Sequence, residues 1–125
     1  MNATTAPETA TMAAVEAFNA AFATLDADAV MACMTEDCVF ENTFPAPDGE
    51  RHVGATAVGA FWAEFFASTP SAVFETEEAF ACGERAVVRW VFRWRDSEGE
   101  GHVRGVDVFR VSGGKVAEKL SYVKG

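Results

Sequence analysis

The sequence predicts an α+β domain in which helices come first and antiparallel strands follow. In the first half, apolar residues recur at helical spacing, whereas from Ser71 onward the pattern alternates as in strands. The chain has 125 residues, half of them hydrophobic, which suffices for one packed core. We therefore expect a single domain over residues 1–125. Residues 1–8 carry neither a basic region nor an apolar run, so we expect a frayed tail there and not a secretory signal.

Three helices and one strand are expected before Ser71. The first helix carries an apolar stripe from Met12 to Leu25, and Asp26 is a suitable N-cap for a short second helix over residues 27–34. Residues 38–44 alternate like a strand that ends before a proline-containing loop. The third helix has one apolar face, formed by Val58, Phe61, Trp62, Phe65 and Phe66.

The second half of the chain predicts a meander of four strands separated by short turns. These strands are residues 72–81, 85–95, 101–111 and 115–123. Residues two apart on a strand share a face, so one strand presents Trp90, Phe92 and Trp94 on the same side. A sheet face with this composition either packs against the helices or lines a cavity.

Asp107 is the most informative residue of the sequence. It shares a strand face with Phe109 and other apolar residues, where an unpaired carboxylate is costly. It must therefore be protonated, hydrogen-bonded or paired with a cation. A three-residue loop at residues 112–114 would place Asp107 opposite Lys119. A two-residue loop would pair it with Leu120 and turn Lys119 to the other face.

Charge and cysteine usage exclude several classes of function. The formal net charge of −9 argues against binding to nucleic acid or to an anionic membrane, and no apolar run is long enough to span a bilayer. The cysteines Cys33, Cys38 and Cys82 have no metal-ligand spacing and are expected to be reduced thiols of a cytoplasmic protein. His52 and His102 form no metal-binding pattern, so we expect neither a metal nor a cofactor.

Three local motifs point to a known family. They are Glu-Asp-Cys-Val-Phe-Glu-Asn at residues 36–42, Gly54 followed by Phe61-Trp62, and Gly105-Val-Asp-Val-Phe-Arg followed by Gly114-Lys-Val. Over residues 8–124 the chain resembles the nuclear transport factor 2-like superfamily and, within it, the SnoaL-like family of polyketide cyclases and ketosteroid isomerase-like proteins. This resemblance implies the cystatin-like fold, a cone-shaped, curved antiparallel sheet with three N-terminal helices on its concave face. It also favours the register that brings Lys119 to Asp107.

The resemblance does not carry over a complete ketosteroid isomerase site. Those enzymes use a carboxylate base, a tyrosine and a protonated aspartate. Asp107 matches the aspartate, but Asn42 stands at the position of the base and Phe18 at that of the tyrosine. Because one group of three is present, steroid isomerisation is not expected.

The epoxide hydrolase and cyclase sites are also incomplete. In the epoxide hydrolase pattern Asn42 matches an asparagine, but Phe40 replaces a tyrosine, and Val91 and Ser121 replace two aspartates. SnoaL-like cyclases keep an acidic residue and a histidine on the last strand, where this chain has Ser121 and Lys119.

Three residues are candidates for catalysis. Asp107 would act as a general acid or hydrogen-bond donor to a ligand carbonyl, with Asn42 and Lys119 in positioning roles. In the structural alternative, Lys119 neutralises Asp107 or Asn42 hydrogen-bonds to it, and Asn42 is equally able to bond backbone near Pro45. The expected substrate-binding residues are Phe18, Phe40, Trp62, Trp90, Phe109 and Ser121.

Three functions remain open at this point. The chain is a cofactor-independent isomerase, cyclase or lyase for an apolar carbonyl compound, a ligand-binding or accessory protein without turnover, or a dimerisation module with a filled cone. The first two require a hydrophobic small molecule as partner. Arginines alternate with Val87, Val91, Val106 and Val108 on the outer sheet face, a half-apolar pattern that predicts a homodimer.

Overall fold

A computed structural model describes residues 5–125, which form three helices and six strands in the expected order. The elements are α1 (Thr5–Ala23), α2 (Ala27–Met31), β1 (Met34–Glu41), β2 (Arg51–Val53), α3 (Ala55–Ser68), β3 (Val73–Cys82), β4 (Arg85–Asp96), β5 (Gly99–Ser112) and β6 (Lys115–Val123). The predicted α+β fold is confirmed. No helix within residues 5–125 combines the length and apolarity needed to cross a membrane.

The start of α1 differs from the expected frayed tail. The helix already begins at Thr5, so the prediction is wrong for residues 5–8, while residues 1–4 lie outside the described part of the chain. The turn between β3 and β4 anchors this end of the helix. Thr11 Oγ1 donates a hydrogen bond to Gly83 O at 2.8 Å, and the Gly83 N–H donates to the Glu8 carboxylate.

The six strands form one open, curved sheet in the order β2-β1-β6-β5-β4-β3. Neighbouring strands are antiparallel except β1 and β6, which pair in parallel, so the sheet is not antiparallel throughout. A parallel pair needs a long connection, and most of the chain lies between these two strands. The three-residue strand β2 was not predicted, because so short a segment carries no alternating pattern.

The core lies between the helices and one face of the sheet. Its fully buried side chains come from every layer: Val15 and Phe18 from α1, Val58 from α3, Phe109 from β5 and Val116 from β6. The Phe18 and Phe109 rings meet edge to face with centroids 5.6 Å apart. The predicted N-cap is confirmed, since the Asp26 carboxylate accepts hydrogen bonds from the first turn of α2.

The turn between β5 and β6 is shorter than the family register suggests. Gly113 and Gly114 form a two-residue turn with φ values of 57° and 80°, a left-handed conformation that favours glycine. Ser112 pairs with Lys115 and Val111 with Val116. A bulge then inserts Ala117 into β6, and pairing resumes one residue later.

This bulge decides which side chains meet Asp107. Beyond it, Asp107 pairs with Ser121 and Phe109 pairs with Lys119, so neither predicted partner lies opposite Asp107. Without the bulge, the two-residue turn would have paired Asp107 with Leu120. The extra residue reverses the alternation of β6 and returns Lys119 to the face of Asp107.

Two tryptophans of β4 lie over glycines of β5. Trp90 pairs with Gly105, and Trp94 pairs with Gly101. A Cβ atom at position 105 would lie 2.5 Å from Cη2 of Trp90 and would also collide with the backbone carbonyl of Tyr122. The missing side chain at Gly105 therefore lets the Trp90 ring lie close against the sheet.

We predict that Gly105→Ala is more destabilising than Gly101→Ala. The first substitution forces both a backbone carbonyl and a buried ring to move, and overpacking of this kind costs about 1–3 kcal/mol. The second meets only the half-buried Trp94 side chain, which can turn away. Urea unfolding of the two variants measures the difference, and equal losses would show that the Trp90 ring is not held by Gly105.

Candidate functional site

A cavity of about 150 Å³ opens between α1 and the sheet. Its apolar wall consists mainly of Phe18, Phe22, Leu25, Phe74, Val88 and Trp90. Four polar side chains also line it: Asn19, Thr76, Asp107 and Lys119. An aromatic cavity with a few polar groups is the usual form of a small-molecule site.

Asp107, Ser121 and Lys119 form a buried triad at this cavity. Ser121 Oγ donates a hydrogen bond to Asp107 Oδ1 at 2.6 Å, and Lys119 Nζ donates to Ser121 Oγ at 3.0 Å. Lys119 Nζ also lies 3.3 Å from Asp107 Oδ1. The three residues are 6%, 9% and 8% exposed, respectively. The ammonium and the carboxylate therefore neutralise each other in an apolar setting, with Ser121 bridging them.

Aromatic rings surround the Lys119 ammonium on its other sides. Nζ lies 4.9 Å from the ring centroid of Phe40, 5.4 Å from that of Trp62 and 6.0 Å from that of Phe22. A cation at this range is attracted to the negative face of a ring, and the attraction strengthens when water is excluded. Ring contacts and Asp107 together stabilise a charge that would otherwise be costly to bury.

The predicted site residues occupy three kinds of position. Phe18, Trp90, Asp107 and Lys119 line the cavity. Phe40 and Trp62 contact Lys119, Phe109 packs against Phe18, and Ser121 belongs to the triad. These last four residues support the lining without forming part of it.

Asn42 lies away from the triad. Its Oδ1 accepts a hydrogen bond from the Thr43 N–H at 2.8 Å, and it borders a separate depression with Glu50, His52 and Glu64. The predicted hydrogen bond between Asn42 and Asp107 is therefore wrong, whereas the alternative of a backbone bond near Pro45 is confirmed. The reason is that β1 ends at Glu41, so Asn42 begins the loop.

Sequence reasoning missed several residues of the cavity wall. Phe22 follows Phe18 by one helical turn on the apolar stripe of α1, but it is not among the predicted substrate-binding residues. Phe74 and Thr76 alternate on β3, but a bulge between Thr76 and Glu78 changes which residues of that strand face inward. The alternation of side chains on β3 before the bulge would have placed both Phe74 and Thr76 on the inward face.

Arginines on the outer sheet face are paired with glutamates. The nitrogen–oxygen distances are 2.9 Å for Arg89–Glu78 and 2.5 Å for Arg93–Glu75. These pairs are about half exposed, so each contributes little stability. They lie on the face of the sheet opposite the cavity.

The other reactive groups are not assembled into a site. The three cysteines are free, and burial raises the pKa of the Cys38 thiol. Within residues 5–125, no three side chains of the types His, Cys, Asp and Glu cluster closely enough to hold a metal ion.

We predict that Asp107→Asn destabilises the fold by about 3–5 kcal/mol, because it leaves the buried Lys119 ammonium without its counter-ion. The double variant Asp107→Asn/Lys119→Met removes both charges and should recover most of this loss. Urea unfolding of the wild type, both single variants and the double variant gives the coupling energy. Additive losses would show that the two charges do not stabilise each other.

Comparison with known proteins places the chain in a family. Residues 15–119 match the family model described as the SnoaL-like domain. A structure of an NTF2-like protein of unknown function from Mesorhizobium loti is 40% identical, with 94% of this chain and 93% of that chain covered and a TM-score of 0.79. No curated protein sequence matches this chain.

Two more distant structures share the fold. A protein of Jannaschia sp. CCS1, provisionally described as a SnoaL-like polyketide cyclase, is 19% identical over 95% of this chain and 88% of that chain, with a TM-score of 0.79. An epoxide hydrolase of the LEH-like type from M. tuberculosis is 22% identical over 94% of this chain and 84% of that chain, with a TM-score of 0.75. The extent of the family match and the 40% identical structure show that this chain belongs to the SnoaL-like family of NTF2-like proteins.

Proposed function

We propose that this protein binds a small apolar carbonyl compound in the cavity and moves a proton next to the carbonyl group without a cofactor. This is the step that isomerases, cyclases and lyases of such compounds have in common. The observation that carries the proposal is a buried acid–base pair, Asp107 and Lys119, in the wall of an aromatic cavity.

In this mechanism Lys119 and Asp107 have complementary tasks. The ammonium donates a hydrogen bond to the carbonyl oxygen, where negative charge grows as the adjacent carbon loses its proton. Asp107 takes that proton, and its two contacts within the triad both use Oδ1, so Oδ2 is the oxygen assigned to the transfer. Return of the proton to another carbon gives an isomer. Attack of the enolate carbon on a second carbonyl closes a ring, and the alkoxide formed there takes the proton back from Asp107.

This assignment reverses part of the expectation from the sequence. A protonated Asp107 would donate a hydrogen bond, but here it accepts one from Ser121 and faces an ammonium. An ionised carboxylate is a base, and the adjacent cation takes over the role of donor. Asn42 has no task in this scheme, because it borders a different depression.

A second function is binding without turnover. It is favoured by the same contacts, since Ser121 and Lys119 already satisfy Asp107 Oδ1 without a reacting ligand. The cavity supports both of these functions over a dimerisation module with a filled cone. The likeness to polyketide cyclase and epoxide hydrolase structures supports the fold in which such sites occur, and not one reaction.

We also propose that two copies associate through the outer sheet face in the cytoplasm. Strand pairing aligns four apolar residues across β3 to β6 on this face: Phe80, Val87, Val108 and Leu120. Phe80 on β3 and Tyr122, two residues after Leu120 on β6, are more than half exposed, and the flanking ion pairs supply a polar rim. Three free thiols suit a reducing compartment.

Exchange of ketone α-protons for deuterium in D₂O, followed by NMR, tests the proposed reaction. With 2-cyclohexen-1-one as probe, we expect the wild type to accelerate exchange and Asp107→Asn/Lys119→Met to lose about 10²–10⁴-fold. The double variant is used because it removes both buried charges together and leaves neither unpaired. Binding of the ketone with no faster exchange than in buffer would instead establish the binding function.

A charged residue placed among the four aligned apolar residues of the outer sheet face tests the proposed dimer. We expect Val108→Glu to convert a dimer into a monomer in analytical ultracentrifugation, because the new carboxylate would be buried against its own copy. Ala13→Glu adds the same charge on the exposed side of α1 and should leave the dimer intact. A wild type that sediments as a monomer would contradict the proposal.

A further inference from the structure

We infer that the cavity selects compounds with a single ring and an acceptor oxygen, and that Phe74 sets this size limit. The inference rests on the proposed function and names its substrate class. It follows from the volume of the cavity, the burial of its polar groups and the position of Phe74.

The volume limits the ligand to about one ring. A cavity of about 150 Å³ is the size that holds benzene in a protein interior. Four-ring systems, such as those of steroids, exceed it. The wall is also well supported, because Phe22 contacts Trp62 and Phe66 edge to face at 5.1 Å and 5.0 Å between centroids. The helix side of the cavity is therefore closely packed and cannot easily move outward.

The polar groups indicate how such a ring is oriented. Asp107 and Lys119 are buried, whereas Asn19 is half-buried and Thr76 is exposed, so the charged pair marks the deep end. A ring with one oxygen satisfies this arrangement when the oxygen points inward to Lys119 and the hydrocarbon lies between Phe18 and Trp90.

Trp90 lies in the same wall and carries an unpaired indole N–H. The residue is 6% exposed, and its indole N–H has no hydrogen-bond partner among the described residues. The indole N–H is therefore a spectroscopic reporter of this wall, whereas Lys119 Nζ is the donor assigned to the ligand oxygen.

Phe74 forms the outer boundary of the cavity. Its ring meets Phe22 edge to face at 5.3 Å and Trp90 at 5.5 Å, and stacks on Phe92 at 4.5 Å. It is 39% exposed and lies on β3, an edge strand of the sheet. Because solvent lies beyond this ring, truncation at Phe74 lengthens the cavity outward.

The indole N–H signals in a ¹⁵N–¹H spectrum test the inference directly. The chain has three tryptophans, so it gives three such signals, which single Trp→Phe variants assign. The probes are 2-cyclohexen-1-one, the bicyclic ketone 1-tetralone, and 1-methylcyclohexene, which has one ring and no oxygen. Phe74→Ala and the milder Phe74→Leu are compared with Phe80→Ala, which truncates the same residue type on the opposite face of β3.

In the wild type, we expect 2-cyclohexen-1-one to shift the Trp90 signal, because Trp90 lines the cavity, and to leave Trp94 unchanged. The hydrocarbon, which offers Lys119 no oxygen, should bind more weakly than the enone, and 1-tetralone should bind at least tenfold more weakly than the enone. Phe74→Ala should abolish this tenfold preference and Phe74→Leu should reduce it, while Phe80→Ala retains it.

The size limit would be overturned if the wild type bound 1-tetralone as tightly as the enone, or if Phe80→Ala lost the preference as completely as Phe74→Ala. The inference would also fail if the enone left the Trp90 signal unchanged, or if neither ketone bound. Failure of the proposed reaction is a separate outcome. In that case the enone binds with the expected size limit, but deuterium exchange is not accelerated.

Discussion

The neutralisation of Lys119 by Asp107 is the interaction on which the rest of the site depends. Two opposite charges and a bridging hydroxyl are enclosed by Phe22, Phe40 and Trp62. An ion pair in such surroundings is tolerated only when its hydrogen bonds are nearly complete, because desolvation costs several kcal/mol per charge. Its geometry is correspondingly fixed, and so are the positions of any groups that act on a ligand. Rigid placement of donors before the ligand arrives is what makes electrostatic stabilisation effective.

The alternation of side chains between the two faces of a strand decided how much of the fold and of the site could be predicted from the sequence. The helical spacing from Met12 to Leu25 and the glycine-rich turns predicted the helices and the four long strands within a few residues. Alternation also placed Asp107 on the buried face of β5. The bulge at Ala117 left no comparable signal, since valine and alanine are compatible with either register. The partner of Asp107 therefore required coordinates, although Lys119 and Ser121 were both named as candidates.

The hydrogen bond expected between Asn42 and Asp107 and the omission of Phe74 have different causes. Asn42 lies just after the last pair of β1, where alternation stops being informative, whereas Phe74 precedes the bulge of β3, where alternation still applies. A motif shared with relatives fixes the position of Asn42 in the chain, but not the direction of its side chain once the strand has ended. Here Asn42 Oδ1 accepts a hydrogen bond from the Thr43 N–H within the loop. For this family, incomplete catalytic motifs are best judged from which side chains share a cavity.

The place of β3 in the sheet has a consequence for how a ligand exchanges with solvent. Within the described residues, β3 pairs with a single strand, β4, and nearly all of its side chains are at least partly exposed. Edge segments of this kind separate from a sheet by local opening, which requires less free energy than global unfolding. Val73, Phe74 and Thr76 of this strand also close one side of the cavity. A molecule can then enter and leave the cavity when β3 opens locally. The triad on β5 and β6 keeps its hydrogen bonds during this opening.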